Sequence, residues 1–367
     1  MKHKRIHIVI AAGGTGGHII PAIALKDNLI NLGHKVTFIT DKRFENYGFK
    51  EDDNFIKLDI PKFSKNPFKL IHFAFKVLAL SLRVSNTFNK IKPGIIIGFG
   101  GYPTLPALIA GWLNKIKMAI HEQNTVLGRS NKLFLPFVKV VATTFPDIIN
   151  FPNKHRNKLF LTGMPIRSEI EAIASLPYPA INENTKLNIL VIGGSQGAKV
   201  FADVVPEAIS MLDKNQRARL RINQQCHSAD EISSVEERYK SMGVNAEVSL
   251  FFKDMPHKIA PAHLVISRAG ASSVSEMLLC NKPCVLVPYP HAKDNHQLYN
   301  AKHLENIGLA WVIEQSYFSA ESLSNIFRQI LINPEILHTK SETARNKQTF
   351  SSTSSLANML VVEATQD

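Results

Sequence analysis

The chain has 367 residues, of which 45% are hydrophobic and 20% charged, and a formal net charge of +13 at pH 7. That length exceeds one ordinary core and predicts two domains, while the composition excludes a disordered chain. The cationic surplus calls for an anionic partner (nucleic acid, acidic lipid or a phosphorylated substrate), and the lack of any zinc-finger, basic-zipper or RNA-recognition signature argues against nucleic acid. Cys226, Cys280 and Cys284 are odd in number and fit neither a disulfide framework nor a zinc site. They read as core thiols in a reducing compartment.

The basic start, Met1-Lys2-His3-Lys4-Arg5, leads into an apolar run at 6–12. The run is short and enters a glycine turn, so it reads as a buried parallel strand rather than a signal peptide. The turn is Gly13-Gly14-Thr15-Gly16-Gly17-His18, followed by a helix over 18–31 with Pro21 in its first turn, Gly33 as its stop, and a strand over 35–40. Strand, glycine turn and helix together aim bare N–H groups and a helix N-terminus at one spot, which suits phosphate. Further strands are predicted at 95–99, 117–120, 138–143 and 159–162, each after a helical stretch, which makes the first half doubly wound.

A Pro- and Asn-bearing stretch at 175–186 precedes a restart of the pattern. Strands at 187–192, 219–223, 247–251, 264–267 and 284–287 alternate with helices. The second glycine turn, Gly193-Gly194-Ser195-Gln196-Gly197, follows the first of these strands as the earlier turn follows its own. A hinge is placed near 163–167 and a last helix over 343–363. No window reaches the unbroken apolar length of a spanning helix, so the expected location is cytoplasmic, with at most surface contact to a membrane.

Residues 66–90 form a helix of unusual pattern. Lys69, Lys76, Arg83 and Lys90 recur every seven residues, nearly two turns, and make one cationic stripe. The remainder is apolar almost all round. One reading is contact with an anionic membrane surface through Lys69, Phe73, Lys76, Leu80 and Arg83. The other is a core helix with a solvated basic edge.

Candidate chemistry gathers after the strands. His18 is either a proton acceptor and diphosphate contact or a surface histidine at a helix end. Asp41, after the second strand, sits where a ribose-binding acid would, although Ile19 replaces the third glycine of a dinucleotide fingerprint. Gly100, Gly101 and Tyr102 form a third loop. His121 and Glu122 are either a functional pair or a satisfied buried network. In Ser267-Arg268-Ala269-Gly270-Ala271-Ser272-Ser273-Val274-Ser275-Glu276, Ser272 and Ser273 are candidate helix caps and phosphate contacts. Glu276 is a candidate ribose acceptor, or half of a capping box with Ser273. Asp294-Asn295-His296-Gln297 opens another helix with groups suited to sugar hydroxyls.

In order along the chain, GGTGGH at 13–18, GGY at 100–102, HEQN at 121–124, GMPIR at 163–167, GGSQGA at 193–198, SRAGASSVSE at 267–276 and DNHQLYNA at 294–301 resemble one family. It is the bacterial UDP-N-acetylglucosamine–undecaprenyl-diphospho-muramoylpentapeptide N-acetylglucosaminyltransferases, which make lipid II from lipid I. The resemblance covers almost the whole chain. Met164 departs from the Asn that some members carry before the hinge proline.

The resemblance implies a GT-B fold: two Rossmann-like, doubly wound parallel α/β domains with a cleft between them. The expected parts are an acceptor- and membrane-binding domain over 1–164, a UDP-sugar domain over 165–342, and a helix over 343–367 packing back on the first domain. It implies inverting transfer from UDP-N-acetylglucosamine to lipid I at the cytoplasmic face of the inner membrane. Thr15, Gly16 and Gly17 resemble diphosphate contacts; Asn124, Arg167 and Ser195 match donor-binding positions. Phe252 matches a backbone contact to uracil, residues 271–275 (Ala271, Ser272, Ser273, Val274 and Ser275) line the nucleotide, Glu276 matches the ribose-binding carboxylate, and Gln297 the residue that reads the sugar. No Asp-x-Asp-like pair lies near the glycine loops, so no metal or other cofactor is expected. His18 is the first candidate base and the His121–Glu122 pair the second. Two other functions compete: a nicotinamide-dependent oxidoreductase using Asp41, and a non-enzymatic membrane adaptor using the 66–90 helix.

Overall fold

The computed structural model describes residues 5–47, 54–61, 63, 64, 66–193, 199–347 and 353–366. The chain divides into two compact units, Met1–Arg167 with Phe350–Asp367, and Ser168–Thr349. The breaks therefore fall after 167 and 349, against the 164 and 342 expected from sequence.

Among the described residues the first unit has seven parallel strands: β1 (His7–Ala11), β2 (Lys35–Asp41), β3 (Phe55–Leu58), β4 (Ile95–Gly98), β5 (Lys117–Glu122), β6 (Val140–Thr143) and β7 (Leu159–Leu161). Their order is β3-β2-β1-β4-β5-β6-β7. Between them run α1 (Gly16–Asn31), α2 (Pro67–Ile91), α3 (Leu105–Leu113) and α4 (Arg129–Phe134). β1 is central because its side chains are apolar on both faces. Ile8 and Ile10 pack with Leu25 on one side, and Val9 packs with Leu80 and Leu108 on the other. The order turns back between β1 and β4. Loops leaving two such strands diverge to opposite faces and open a crevice at the carboxyl ends.

The second unit repeats the scheme with β8 (Leu187–Ile192), β9 (Leu220–Gln225), β10 (Asn245–Ser249), β11 (Leu264–Ser267), β12 (Cys284–Leu286) and β13 (Ala310–Val312), all parallel, in the order β10-β9-β8-β11-β12-β13. Its switch point lies between β8 and β11. The helices are α5 (Ser168–Ala174), α6 (Lys199–Ser210), α7 (Lys214–Ala218), α8 (Ala229–Ser241), α9 (Met255–Ile259), α10 (Ala271–Leu279), α11 (His296–Asn306), α12 (Ala320–Ile332) and α13 (Glu335–Lys347). Cys226, Cys280 and Cys284 are all free and buried here.

The single helix expected over 343–363 is two. Residues 343–347 end α13, whose mostly polar sequence hides its start after Pro334. The final helix, α14 (Thr353–Thr365), belongs to the first unit. Its Leu356 and Leu360 are fully buried in the same cluster as Ile19 and Leu25 of α1, each contributing roughly 1.5–3 kcal/mol. Thr353 Oγ1 accepts from the Ile166 N–H at 3.0 Å and donates to the Ile166 carbonyl at 3.1 Å. β3 and β13, absent from the sequence reading, are edge strands of four and three residues, too short for a period to register. Helix α1 starts two residues before its expected place, so Pro21 lies past the first turn and has no N–H to return to the Gly17 carbonyl.

Asn66 caps α2: its Oδ1 accepts from the Phe68 and Lys69 N–H groups at 3.1 and 3.3 Å, and Pro67 at the first position forfeits no helical bond. The inward stripe is Phe73, Val77, Leu80, Ser81, Val84 and Phe88. Phe73 and Leu80, expected to face a membrane, are thus core residues, because the 3.6-residue period turns them inward. The opposite face carries Phe68, Ile71, Phe75, Leu78 and Leu82 in the open, with Phe68 82% and Phe75 75% exposed. Lys69 and Arg83 are exposed and Lys76 partly buried. Among the described residues no helix is long and apolar enough to cross a membrane.

Candidate active site

The first switch point gathers the turns after β1, β2 and β4. Gly13 has to lack a side chain, since a Cβ there would lie 2.6 Å from the Pro103 Cβ. Thr15 is the N-cap of α1. The N–H groups of Gly16 and Gly17 open the helix, where no carbonyl of its own turn can reach them. The dipole makes that end attractive to an anion. His18 is partly buried, with Nδ1 3.3 Å from Thr15 Oγ1. Facing it is the loop after β4: a Cβ built on Gly100 or Gly101, both at positive φ, would come within 3.5 Å of the His18 ring nitrogens. The sheet therefore assembles His18, Thr15, Gly16, Gly17 and the Gly100-Gly101-Tyr102 loop at one place.

Tyr102 is wedged from two sides. The Arg43 guanidinium lies 4.8 Å from its ring centroid, and Phe73 of α2 meets it edge-on at 5.9 Å. Arg43 is itself clamped on the buried Asp41 carboxylate, to which its backbone N–H and Nε–H donate at 3.2 and 2.8 Å and a terminal nitrogen donates as well.

At the end of β5 the side chains turn inward. The Gly163 carbonyl can only accept, so His121 carries its proton on Nε2 and donates to it at 2.9 Å; Nδ1 accepts from Gln123 at 3.1 Å. The ring is stacked on Phe99, 5.1 Å between centroids, and burial pushes its pKa down to about 4. Burial pushes the Glu122 carboxyl up, against the pull of its hydrogen bonds. Its Oε1 accepts from the Asn124 N–H at 3.1 Å, and its Oε2 from the Gly128 N–H and Asn131 Nδ2, both at 2.8 Å. Glu122 thereby sets the backbone of Asn124 and the start of α4. Arg167, partly buried, closes the unit beyond the buried Met164.

In the second unit Gly193 leaves β8, and Ser195 lies outside the described residues. Gly270 is the N-cap of α10. Ala271, Val274 and Ser275 are buried, while Ser272, Ser273 and Glu276 are partly so. The hydroxyls of Ser272 and Ser275 are buried with no hydrogen-bond partner among the described residues. Phe252 is buried, with Lys258 Nζ 5.2 Å from its ring centroid. Gln297, second residue of α11, accepts the Tyr289 N–H through Oε1 at 2.9 Å.

Residues 8–143 match the glycosyltransferase family 28 N-terminal domain, and residues 188–356 its C-terminal domain. The chain is 38% identical to the Paramagnetospirillum magneticum UDP-N-acetylglucosamine–N-acetylmuramyl-(pentapeptide) pyrophosphoryl-undecaprenol N-acetylglucosamine transferase, over 98% of each chain. The chain belongs to glycosyltransferase family 28. The enzyme of the same name from Rhodospirillum centenum is 39% identical over 89% of this chain and 86% of its own. The crystal structure of Acinetobacter baumannii MurG superposes with a TM-score of 0.77 at 30% identity, covering 97% of this chain and 99% of that one. With its two doubly wound parallel sheets, this family 28 glycosyltransferase has the GT-B fold.

Several expectations are corrected in the family 28 chain. Ser272 and Ser273 do not cap α10; Gly270 does, which places the serines at the second and third helical positions and rules out a Ser273–Glu276 capping box. His121 and Glu122 are 0% and 1% exposed and internally bonded, so neither is offered to a substrate as a base. Asp41 is occupied by Arg43 rather than free for a ribose, and family membership sets aside both the oxidoreductase and the adaptor. Arg43, Asn131 and Arg268 support the loops and were not singled out from sequence, since each acts on residues that no local motif connects to it.

Proposed function

We propose that the chain transfers N-acetylglucosamine from UDP-N-acetylglucosamine to the 4-hydroxyl of the muramoyl sugar of undecaprenyl-diphosphate-linked lipid I, giving lipid II with inversion at the anomeric carbon. The observation that carries this reading is the 38% identity with a transferase of that name across 98% of both chains. It is supported by polar side chains and helix N-termini at the switch point of each sheet.

The second unit takes the donor. Glu276 accepts from the ribose hydroxyls, the Phe252 backbone meets the uracil, and the start of α10 from Ala271 to Ser275 lines the nucleotide. Gln297 reads the sugar, and Ser195 completes donor binding in this unit. As the bond from the anomeric carbon to UDP breaks, charge builds on the leaving diphosphate, and preorganised helix N-termini stabilise it without a metal. The first unit takes the acceptor: Thr15, Gly16 and Gly17 meet diphosphate, and Gly100, Gly101 and Tyr102 line the acceptor. Inversion needs one displacement, so a base must remove the 4-hydroxyl proton as that oxygen attacks. His18 is that base; its partly exposed ring beside the acceptor loop supports the role.

The outward apolar face of α2, flanked by Lys69, Lys76 and Arg83, rests on the anionic inner-membrane surface from the cytoplasmic side. The deciding experiment is turnover of radiolabelled UDP-N-acetylglucosamine with a lipid I analogue, with and without chelator. Labelled lipid II is expected in both. Tight NAD binding with no turnover of the UDP-sugar would overturn the reading.

A further inference from the structure

We infer that Arg268 is a positioning residue for donor-sugar selection, acting on Gln297 through the backbone of residues 287–289. This deepens the transferase reading and rests on it. Arg268 follows β11 at the second switch point. Its Nη1 donates to the Val287 and Pro288 carbonyls at 3.2 and 3.4 Å, and its Nη2 to Gln315 Oε1 at 2.6 Å. The guanidinium also sits 5.4 Å from the ring centroid of Phe201 on α6 and 5.5 Å from that of Tyr289. One side chain thus ties the turn before α10, the segment after β12 and the helix that follows the second glycine turn.

The next peptide makes the link to the sugar. Tyr289 N–H donates to Gln297 Oε1 at 2.9 Å. A backbone N–H can bond only the oxygen end of the amide, which settles its orientation and leaves the NH2 group as the end available to a ligand. Held this way, Gln297 aims its NH2 as a donor in one direction, so it favours the epimer whose hydroxyl oxygen lies there. Were the 287–289 segment released, the amide would be free to rotate and present either end, and selection between hydroxyl epimers would fall. The task suits arginine: a planar fork meets several acceptors while its faces stack on two rings, which a lysine ammonium cannot do.

The test compares Arg268→Lys, Arg268→Gln, Gln315→Leu, Gln297→Ala and the Arg268→Gln/Gln297→Ala double variant with the wild-type enzyme. The readouts are kcat and KM for UDP-N-acetylglucosamine and its C4 epimer UDP-N-acetylgalactosamine, UDP affinity by calorimetry, and the melting temperature. Both Arg268 variants should lose about tenfold in discrimination between the two sugars, roughly one hydrogen bond's worth, mainly through KM, with UDP affinity held within about twofold. The double variant should discriminate no worse than Gln297→Ala alone. Gln315→Leu removes one anchor of three and should show a smaller loss, which keeps the test open if an Arg268 variant fails to fold. Full discrimination in every folded variant, or UDP affinity falling in step with that for UDP-N-acetylglucosamine, overturns the inference. A wild-type enzyme that turns over neither sugar defeats the transferase reading itself, and the inference with it.

Discussion

His121 donates its Nε2–H to the Gly163 carbonyl across 2.9 Å, wholly out of water. Burial holds the imidazole near pKa 4, against 6.5 when exposed. Between those values the unfolded chain binds a proton that the folded chain does not. This contribution is therefore complete above pH 6.5 and is lost as pH falls toward 4, by up to ~3 kcal/mol. Urea unfolding at pH 4.5 and 7 should show that loss in the wild type and a flatter dependence in His121→Gln. Equal slopes would contradict this account.

Glu122 accepts the Asn124 and Gly128 backbone N–H groups and the Asn131 amide with its two oxygens. Glu122→Gln would turn one of those oxygens into an NH2 facing a donor, at a cost of ~1–3 kcal/mol in unfolding free energy. Donor KM should rise, because Asn124 loses its backbone anchor, but the pH profile of kcat should keep its wild-type shape. A changed profile would return Glu122 to the list of candidate bases.

His18→Gln should behave in the opposite manner. Removing a general base costs about 10²–10⁴ in turnover, and here kcat should carry the loss while the melting temperature stays near wild type. A loss confined to KM would make His18 a binding residue instead.

The two faces of α2 separate binding from stability. Phe68→Ser with Phe75→Ser should weaken binding to anionic vesicles at little cost in stability, since both rings already lie in water. Leu80→Ala should cost ~2–5 kcal/mol and leave vesicle binding by the folded protein unchanged. Neutralising Lys69, Lys76 and Arg83 should weaken vesicle binding by about 1 kcal/mol per charge at low salt, while sparing turnover of a water-soluble acceptor. Vesicle sedimentation and thermal melts check all three.

Gly13→Ala would drive a methyl against Pro103 at 2.6 Å. Overpacking of this kind costs ~1–3 kcal/mol, and the shift would part His18 from the Gly100-Gly101 loop. Turnover should fall well beyond what the stability change explains; near-normal turnover would show that the two turns need no close approach.

What was legible in the sequence was local. Ile8-Val9-Ile10 followed by Gly13 to Gly17 announces a buried strand and a turn that needs glycine, because neighbours in the chain carry both signals. The same holds at Leu187–Ile192 and at Leu264–Ser267, so the doubly wound pattern could be anticipated, whereas the switch points follow from the strand order of the folded sheets. Tertiary structure decided which faces those elements present and which side chains meet across them. Phe73 and Phe75 are alike in sequence, yet one is packed against Tyr102 and the other stands in water, because helical rotation and the sheet below select a single inward stripe. His121 and Glu122 resembled catalytic groups until folding buried them, and Arg268 found Gln315, 47 residues away, only because the sheet brings the ends of its strands to one edge. Strand and turn signals are properties of adjacent residues, whereas burial, pKa and partner choice depend on atoms brought in from distant parts of the chain.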